Sequence, residues 1–165
     1  MRPSLPSRGH SIARAAAAPA RLFVDSGAWI ALRSRRDQHH AEADRLFREA
    51  LSRRIPLLTT NLVIAETHRL TLFRSGTLPA LRGLERLDAS KMVTIHFATP
   101  GDHAAARRWL ERLSPRPITY TDAVSFAVME ASRCRHVLGF DQDFAAAGFA
   151  LWRGGEPHVL TPGRG

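Results

Sequence analysis

Four carboxylates fall where an α/β protein has least use for a charge. Asp25 closes the apolar run Leu22-Phe23-Val24, and Asp141 follows the run Val137-Leu138-Gly139-Phe140. Glu66 has Leu62, Val63, Leu70 and Phe73 around it at helical spacing, which sets it on an apolar stripe. Asp122 shares a helix face with Phe126 and Met129. Singly, such acids need no more than a capping role, a favourable place in a helix's first turn, a turn, or, for Glu66, a salt bridge to Arg69. Gathered in one pocket they could not all stay ionised, because like charges raise one another's pKa. A hard divalent cation removes that conflict, and oxygen ligands suit Mg2+ or Mn2+.

The elements that must carry these acids alternate along the chain. A short buried strand over Leu22–Asp25 leads into a helical turn through Trp29 and Leu32. An amphipathic helix over Asp37–Arg54 has Ala43, Leu46, Phe47, Ala50 and Leu51 on one stripe. A strand over Leu57–Thr60 precedes a helix that Asn61 caps and that stops at Ser75-Gly76. Further helices are expected over Leu78–Leu87, Pro100–Leu113 and Asp122–Arg133. Further strands are expected over Lys91–Phe97, His136–Phe140 and Phe149–Trp152. A loop or turn would account for Asp141 and Asp143 without any further role. This order implies an α/β fold with a mainly parallel sheet covered on both faces. In such sheets sites form at the carboxyl ends of strands, where Asp25 and Asp141 fall.

Composition limits the alternatives. The 165 residues suit one domain, and 44% hydrophobic content supplies a sizeable core. The folded part is expected over 21–153, between a proline-rich, acid-free tail at 1–20, read as disordered, and a flexible Gly/Pro-rich tail at 154–165. No apolar run approaches the roughly 18 residues needed to span a bilayer. Cys134, the single cysteine, excludes an intrachain disulfide and fits a reducing cytoplasm. We expect it buried on the helix that starts near Asp122. The net charge is +9, carried by 23 arginines and one lysine, Lys91. Arginine recognises phosphate through paired donors, so the balance admits a nucleic-acid partner, although a compositional bias explains it equally well. The adjacent His39 and His40 point in different directions on a helix and are expected in solvent. No Cys/His zinc pattern, P-loop, GxGxxG or GxSxG is present. An aspartyl-nucleophile phosphotransferase would want a second Asp two residues after Asp25, and that position is Gly27.

FVDSGAWIAL at 23–32, TTNLVIAETHRL at 59–70, TYTDAVSFAVME at 119–130 and HVLGFDQDFAAAGF at 136–149 resemble the four acidic motifs of PIN-domain ribonucleases. The resemblance is greatest to the small single-domain members that act as the toxin of VapBC-type toxin–antitoxin pairs. It implies a three-layer α/β/α domain with Asp25, Glu66, Asp122 and Asp141 as catalytic metal ligands for Mg2+ or Mn2+. It adds Asp143 as a further ligand or water-positioning group, and Thr121 as the small hydroxyl residue that precedes the third acid. It also implies endonucleolytic RNA cleavage, a homodimer and a small antitoxin partner. Arg33, Arg35, Arg36 and Arg69 are the candidates to hold the RNA backbone. The rival readings are a non-toxin nuclease of RNA processing, a DNA-directed nuclease on the same fold, and a silent module that only binds RNA or protein.

Overall fold

The computed structural model describes residues 18–155. Most of the disordered tail expected over 1–20 and of the flexible tail expected over 154–165 lies outside the described residues.

Five short parallel strands form one sheet: β1 (Leu22–Val24), β2 (Leu57–Thr60), β3 (Val93–His96), β4 (His136–Leu138) and β5 (Ala150–Leu151). Their order is β3-β2-β1-β4-β5. Phe23 is in register with Leu58 on one side and Val137 on the other. β1 is therefore central, and Leu22, Phe23 and Val24 are fully buried. Strands buried on both faces read as continuous apolar runs, which is why β1 and β4 were legible. The chain moves outward from β1 to β2 and β3, then returns past β1 to β4. That reversal makes the carboxyl edge between β1 and β4 a topological switch point, the place where sheets of this kind bind ligands.

Helices α1 (Ser26–Arg33), α2 (His40–Ser52), α3 (Asn61–Ser75) and α4 (Thr77–Asp88) fill the outward crossovers. Helices α5 (Pro100–Leu113), α6 (Tyr120–Ala131) and α7 (Gln142–Ala146) follow on the return. Right-handed crossovers put the two groups on opposite faces. α1 packs on α2 and α3, α3 on α4, and α5 on α6. The three-layer α/β/α expectation holds.

Rings tie the acid-bearing elements to one another. Phe23 of β1 lies 6.1 Å from Phe144 of α7, and Phe144 meets Phe126 of α6 edge-on at 5.1 Å. Phe23 is two residues before Asp25, Phe144 three after Asp141 and Phe126 four after Asp122, so this apolar cluster fixes where three of the four acids stand.

Several sequence expectations are corrected. Thr60, not Asn61, caps α3: its hydroxyl accepts from Val63 N at 3.1 Å, while Asn61 Oδ1 accepts from Ala98 N at 2.9 Å. α6 starts at Tyr120, two residues before Asp122, because Thr119 is its cap. A short helix, α7, that the pattern did not show begins after Asp141, which is its N-cap, and contains Asp143. Cys134 is buried but sits in the turn after α6, with Sγ bonded to the carbonyls of Arg21 and His136. His39 stacks on Phe140 with centroids 4.2 Å apart, and His40 Nδ1 bonds Ala31 O at 2.8 Å, so neither histidine simply faces solvent. At the other end, Gly155 N donates to Glu49 Oε1 at 2.6 Å, so the chain is still held to α2 where the tail was expected to begin.

Candidate metal-binding active site

Asp25 is both the residue after β1 and the N-cap of α1, and its Oδ2 accepts from Gly27 N at 3.2 Å. Only 5% of the residue is exposed, and Oδ1 is buried without a hydrogen-bond partner. Burying an unpaired carboxylate oxygen is costly. Burial accordingly pushes the Asp25 carboxyl from 3.8 up to about 7; the charge of Asp122 adds to the rise and that of Glu66 adds less. Gly139, after β4, allows the close approach here: a Cβ at that position would lie 3.2 Å from Asp25 Cβ.

Asp122 is the third residue of α6. Thr119 Oγ1 accepts from Asp122 N at 3.1 Å and donates to Asp122 Oδ2 at 2.6 Å. This capping box satisfies two orphan donors of the helix end and fixes the carboxylate. Among the described residues no hydrogen bond engages Asp122 Oδ1. Burial raises the Asp122 carboxyl, the Thr119 hydroxyl opposes that, and the charges of Asp141 and Glu66 raise it further. Asp141 caps α7 through Oδ1, which accepts from Asp143 N at 2.9 Å, and it is exposed. Glu66 projects from the second turn of α3, half-buried, and among the described residues it makes no ion pair. The salt bridge to Arg69 that would have accounted for Glu66 without a metal is not formed. The apolar stripe expected around Glu66 is also incomplete: Val63 is buried, but Phe73 is 78% exposed.

Asp122 and Glu66 therefore act on Asp25, and Asp141 and Glu66 act on Asp122. Among the described residues, however, no three His, Cys, Asp or Glu side chains gather closely enough to enclose an ion by themselves. The donors still fit a hard divalent cation. They are all carboxylate oxygens, Asp25 keeps one buried oxygen unpartnered, and two carboxyls are held above their ordinary range by burial and mutual charge.

The supporting residues expected from sequence fare differently. The carbonyl of Thr121 accepts from Ser125 Oγ at 2.9 Å, and the hydroxyl that holds Asp122 is that of Thr119. The T-x-x-D spacing of a capping box was the available signal. Asp143 is paired with Arg116 Nη1 at 2.6 Å, so its charge is already answered. Arg116, 27 residues away in sequence, left no local trace of this role. Arg33 is corrected. It ends α1, about 12 Å of helix from Asp25 at 1.5 Å per residue. Its Nη2 donates to Pro79 O at 2.5 Å, and its guanidinium occupies the space that a side chain at Gly83 would take. Arg35 and Arg36 follow it, exposed, beyond the far end of α1. Arg69 is exposed one turn beyond Glu66, 5.8 Å over the Phe73 ring.

Arg33 instead borders a groove of about 730 Å3 between α1, α2, α3 and α4. Arg48, Arg74, Arg82 and Arg86 also line it, beside Trp29, Leu51 and Thr67. Its one acid, Asp44, is paired with Arg48 at 2.8 Å.

Comparison with known proteins places the chain in a family and agrees with its fold. Residues 22–150 match the family model described as PIN domain. The chain is 34% identical over 128 residues to the 23S rRNA-specific endonuclease VapC20 of Mycobacterium tuberculosis, in strains CDC 1551 / Oshkosh and ATCC 25618 / H37Rv, covering 78% of this chain and 95% of the relative. The crystal structure of M. tuberculosis VapC20, described as a Sarcin-Ricin loop cleaving toxin, superposes with a TM-score of 0.73 at 33% identity. That match covers 80% of this chain and 98% of the other.

Proposed function

Because this chain belongs to the PIN-domain family, we propose that it is a divalent-metal-dependent endoribonuclease, the toxin of a toxin–antitoxin pair, acting in the cytoplasm. The observation that carries the reading is Asp25: a buried carboxylate with one unpartnered oxygen, whose burden of charge Asp122 and Glu66 both raise. Asp25, Glu66, Asp122 and Asp141 would hold Mg2+ or Mn2+. When bound, the cation supplies positive charge to the reacting phosphate and eases deprotonation of the attacking water.

The chain's own residues divide the remaining work. Asp25 must lose its proton before it can act as a ligand, so loading tightens as pH rises through about 7. Thr119 holds Asp122 Oδ2 and leaves Oδ1 for the cation. Asp141, the acid that solvent reaches, is our candidate to accept the proton of the attacking water. Arg116, kept in place by Asp143, and exposed Arg69 are the basic groups we assign to the RNA backbone.

For the antitoxin we infer a segment laid in the groove of α1–α4. Five arginines and one already paired acid line it, so an occupant with acidic and apolar side chains fits. A basic side chain reaching from that segment to the four acids would compete with the metal for the same oxygens. The homodimer is part of this reading, with the exposed Phe73, Leu78 and Leu81 on α3 and α4 as surface for either association.

The test is expression in a bacterial host. Wild type should arrest growth, Asp25→Asn should not, and co-expression of an adjacent small gene should restore growth. If wild type and mutant are equally harmless at equal abundance, a nuclease of ordinary RNA processing becomes the better reading.

A further inference from the structure

Two aromatic side chains stand exposed on the edge of the sheet that bears the acids. Tyr120 is 44% exposed and Phe97 is 69% exposed. Connectivity puts them there. Phe97 follows directly on β3, at its carboxyl end, and Tyr120 opens α6 two residues before Asp122. Neither ring takes part in the hydrophobic core. The other large apolar side chains that reach solvent, Leu51, Phe73, Leu78 and Leu81, lie on α2, α3 and α4.

A polar contact holds the Tyr120 side chain, and another holds the backbone next to Phe97. Tyr120 Oη is 3.1 Å from His103 Nδ1 in a hydrogen bond, with the two rings 5.9 Å apart and tilted by 58°. The backbone beside Phe97 is pinned where Ala98 N donates to Asn61 Oδ1, and Asn61 opens α3, the helix that carries Glu66. Aromatic faces that stay in solvent cost hydrophobic free energy unless a partner covers them.

We propose that Tyr120, with His103 against it, and Phe97 form a stacking platform for unpaired bases of an RNA loop whose scissile phosphate lies at the four acids. The proposal rests on the nuclease reading and adds what selects the substrate. Paired bases in a duplex have both faces covered by their neighbours, whereas loop bases can be splayed onto aromatic rings. The phosphate is recognised by charge and carries no such selectivity, so the rings provide a preference for unpaired RNA. Their polar neighbours in sequence, Thr99, Asp102, His103 and Thr119, suit a nucleotide better than the continuous apolar patch a protein partner would cover.

The test uses the full chain, in chelator so that nothing is cut, with an RNA hairpin carrying 2-aminopurine in its loop and a matched duplex carrying it in the stem. Wild type should quench the loop probe and bind it more tightly than the duplex. Tyr120→Leu and Phe97→Leu keep an apolar side chain without a ring, and each should weaken loop binding about fivefold or more, the low end of a base–aromatic stack. Tyr120→Phe keeps the ring and loses only the bond to His103, so it should bind the loop more tightly than Tyr120→Leu. Unchanged melting temperatures confirm that the variants fold. Loop binding equal to wild type in both leucine variants overturns the platform, as does an equal loss on loop and duplex. A change in oligomeric state without a change in RNA affinity overturns it in favour of a protein surface. Cleavage of the same hairpin in Mn2+ separates the two readings. An uncut hairpin with ring-dependent binding leaves the platform standing and removes the nuclease; a cut hairpin with ring-independent binding does the reverse.

Discussion

Replacing Asp25 with asparagine in the metal-free protein should make it progressively more stable than wild type as pH rises. In the unfolded chain Asp25 titrates near 3.8, and in the folded protein burial and the charges of Asp122 and Glu66 hold it at about 7. Below pH 4 both states carry the proton and the group makes no difference. Between about 4 and 7 the folded state keeps a proton that the unfolded state has lost. The free energy of unfolding then falls with rising pH, by about 1.4 kcal/mol per unit for a single group. Above 7 the full penalty remains, on the order of 4 kcal/mol. Asparagine has no charge to bury and lacks this slope. Its own amide costs a fixed amount, so the informative quantity is the change with pH, not the difference at one pH. From pH 5 to pH 8 the advantage of Asp25→Asn should grow by about 3 kcal/mol, or roughly 6–12 °C in Tm for a chain of this size. Thermal melts in chelator by circular dichroism measure it. Added Mn2+ should then stabilise wild type, by about 2.7 kcal/mol at a hundredfold excess over Kd, and leave the mutant unmoved. A wild-type to mutant difference that stays constant from pH 5 to pH 8 would refute the electrostatic reasoning about Asp25.

Other substitutions separate the roles of neighbouring residues. Thr119→Ala should cost about 1 kcal/mol of stability through the lost cap and reduce cleavage, because Asp122 loses the hydroxyl that holds it, while Thr121→Ala should cleave like wild type; denaturant melts and a labelled-RNA assay decide. Phe126→Ala should destabilise by about 3–5 kcal/mol, since it removes the ring that Phe144 meets edge-on; a Tm shift of only a degree or two would show that α6 is fixed by something else. Arg116→Gln should leave Asp143 uncompensated, weaken RNA binding and reduce the salt dependence of that binding. An unchanged salt slope would remove Arg116 from the RNA surface.

Legibility in the sequence followed how local each determinant is. β1 and β4 were readable because a strand buried on both faces is apolar throughout, and the acids after them stood out against those runs. The long helices were readable from their stripes, as with Ala43, Leu46, Phe47 and Ala50 on α2. α7 was missed because five residues give no periodicity, although its capping aspartate was singled out. The helix starts slipped by one or two residues for one reason. The capping side chains Thr60 and Thr119 lie just before Asn61 and Asp122, which attracted attention as an amide and an acid. Arg33 was misassigned because proximity in sequence to Asp25 was read as proximity in space, whereas α1 carries it to the groove. Arg116 and the His103–Tyr120 pair depend on the return of the chain between α5 and α6, which no local pattern encodes.

Cleavage of one RNA under four conditions tests the central claim most directly. Purified wild-type protein should cut a labelled structured RNA in Mg2+ or Mn2+, fail with excess chelator, and leave the same sequence uncut when the cleavage site carries 2′-deoxyribose. Asp122→Asn, folded to the same circular dichroism spectrum, should be inactive in all of these. Undiminished cutting in chelator, or by Asp122→Asn, would contradict the assignment of the four acids as a metal-dependent ribonuclease centre.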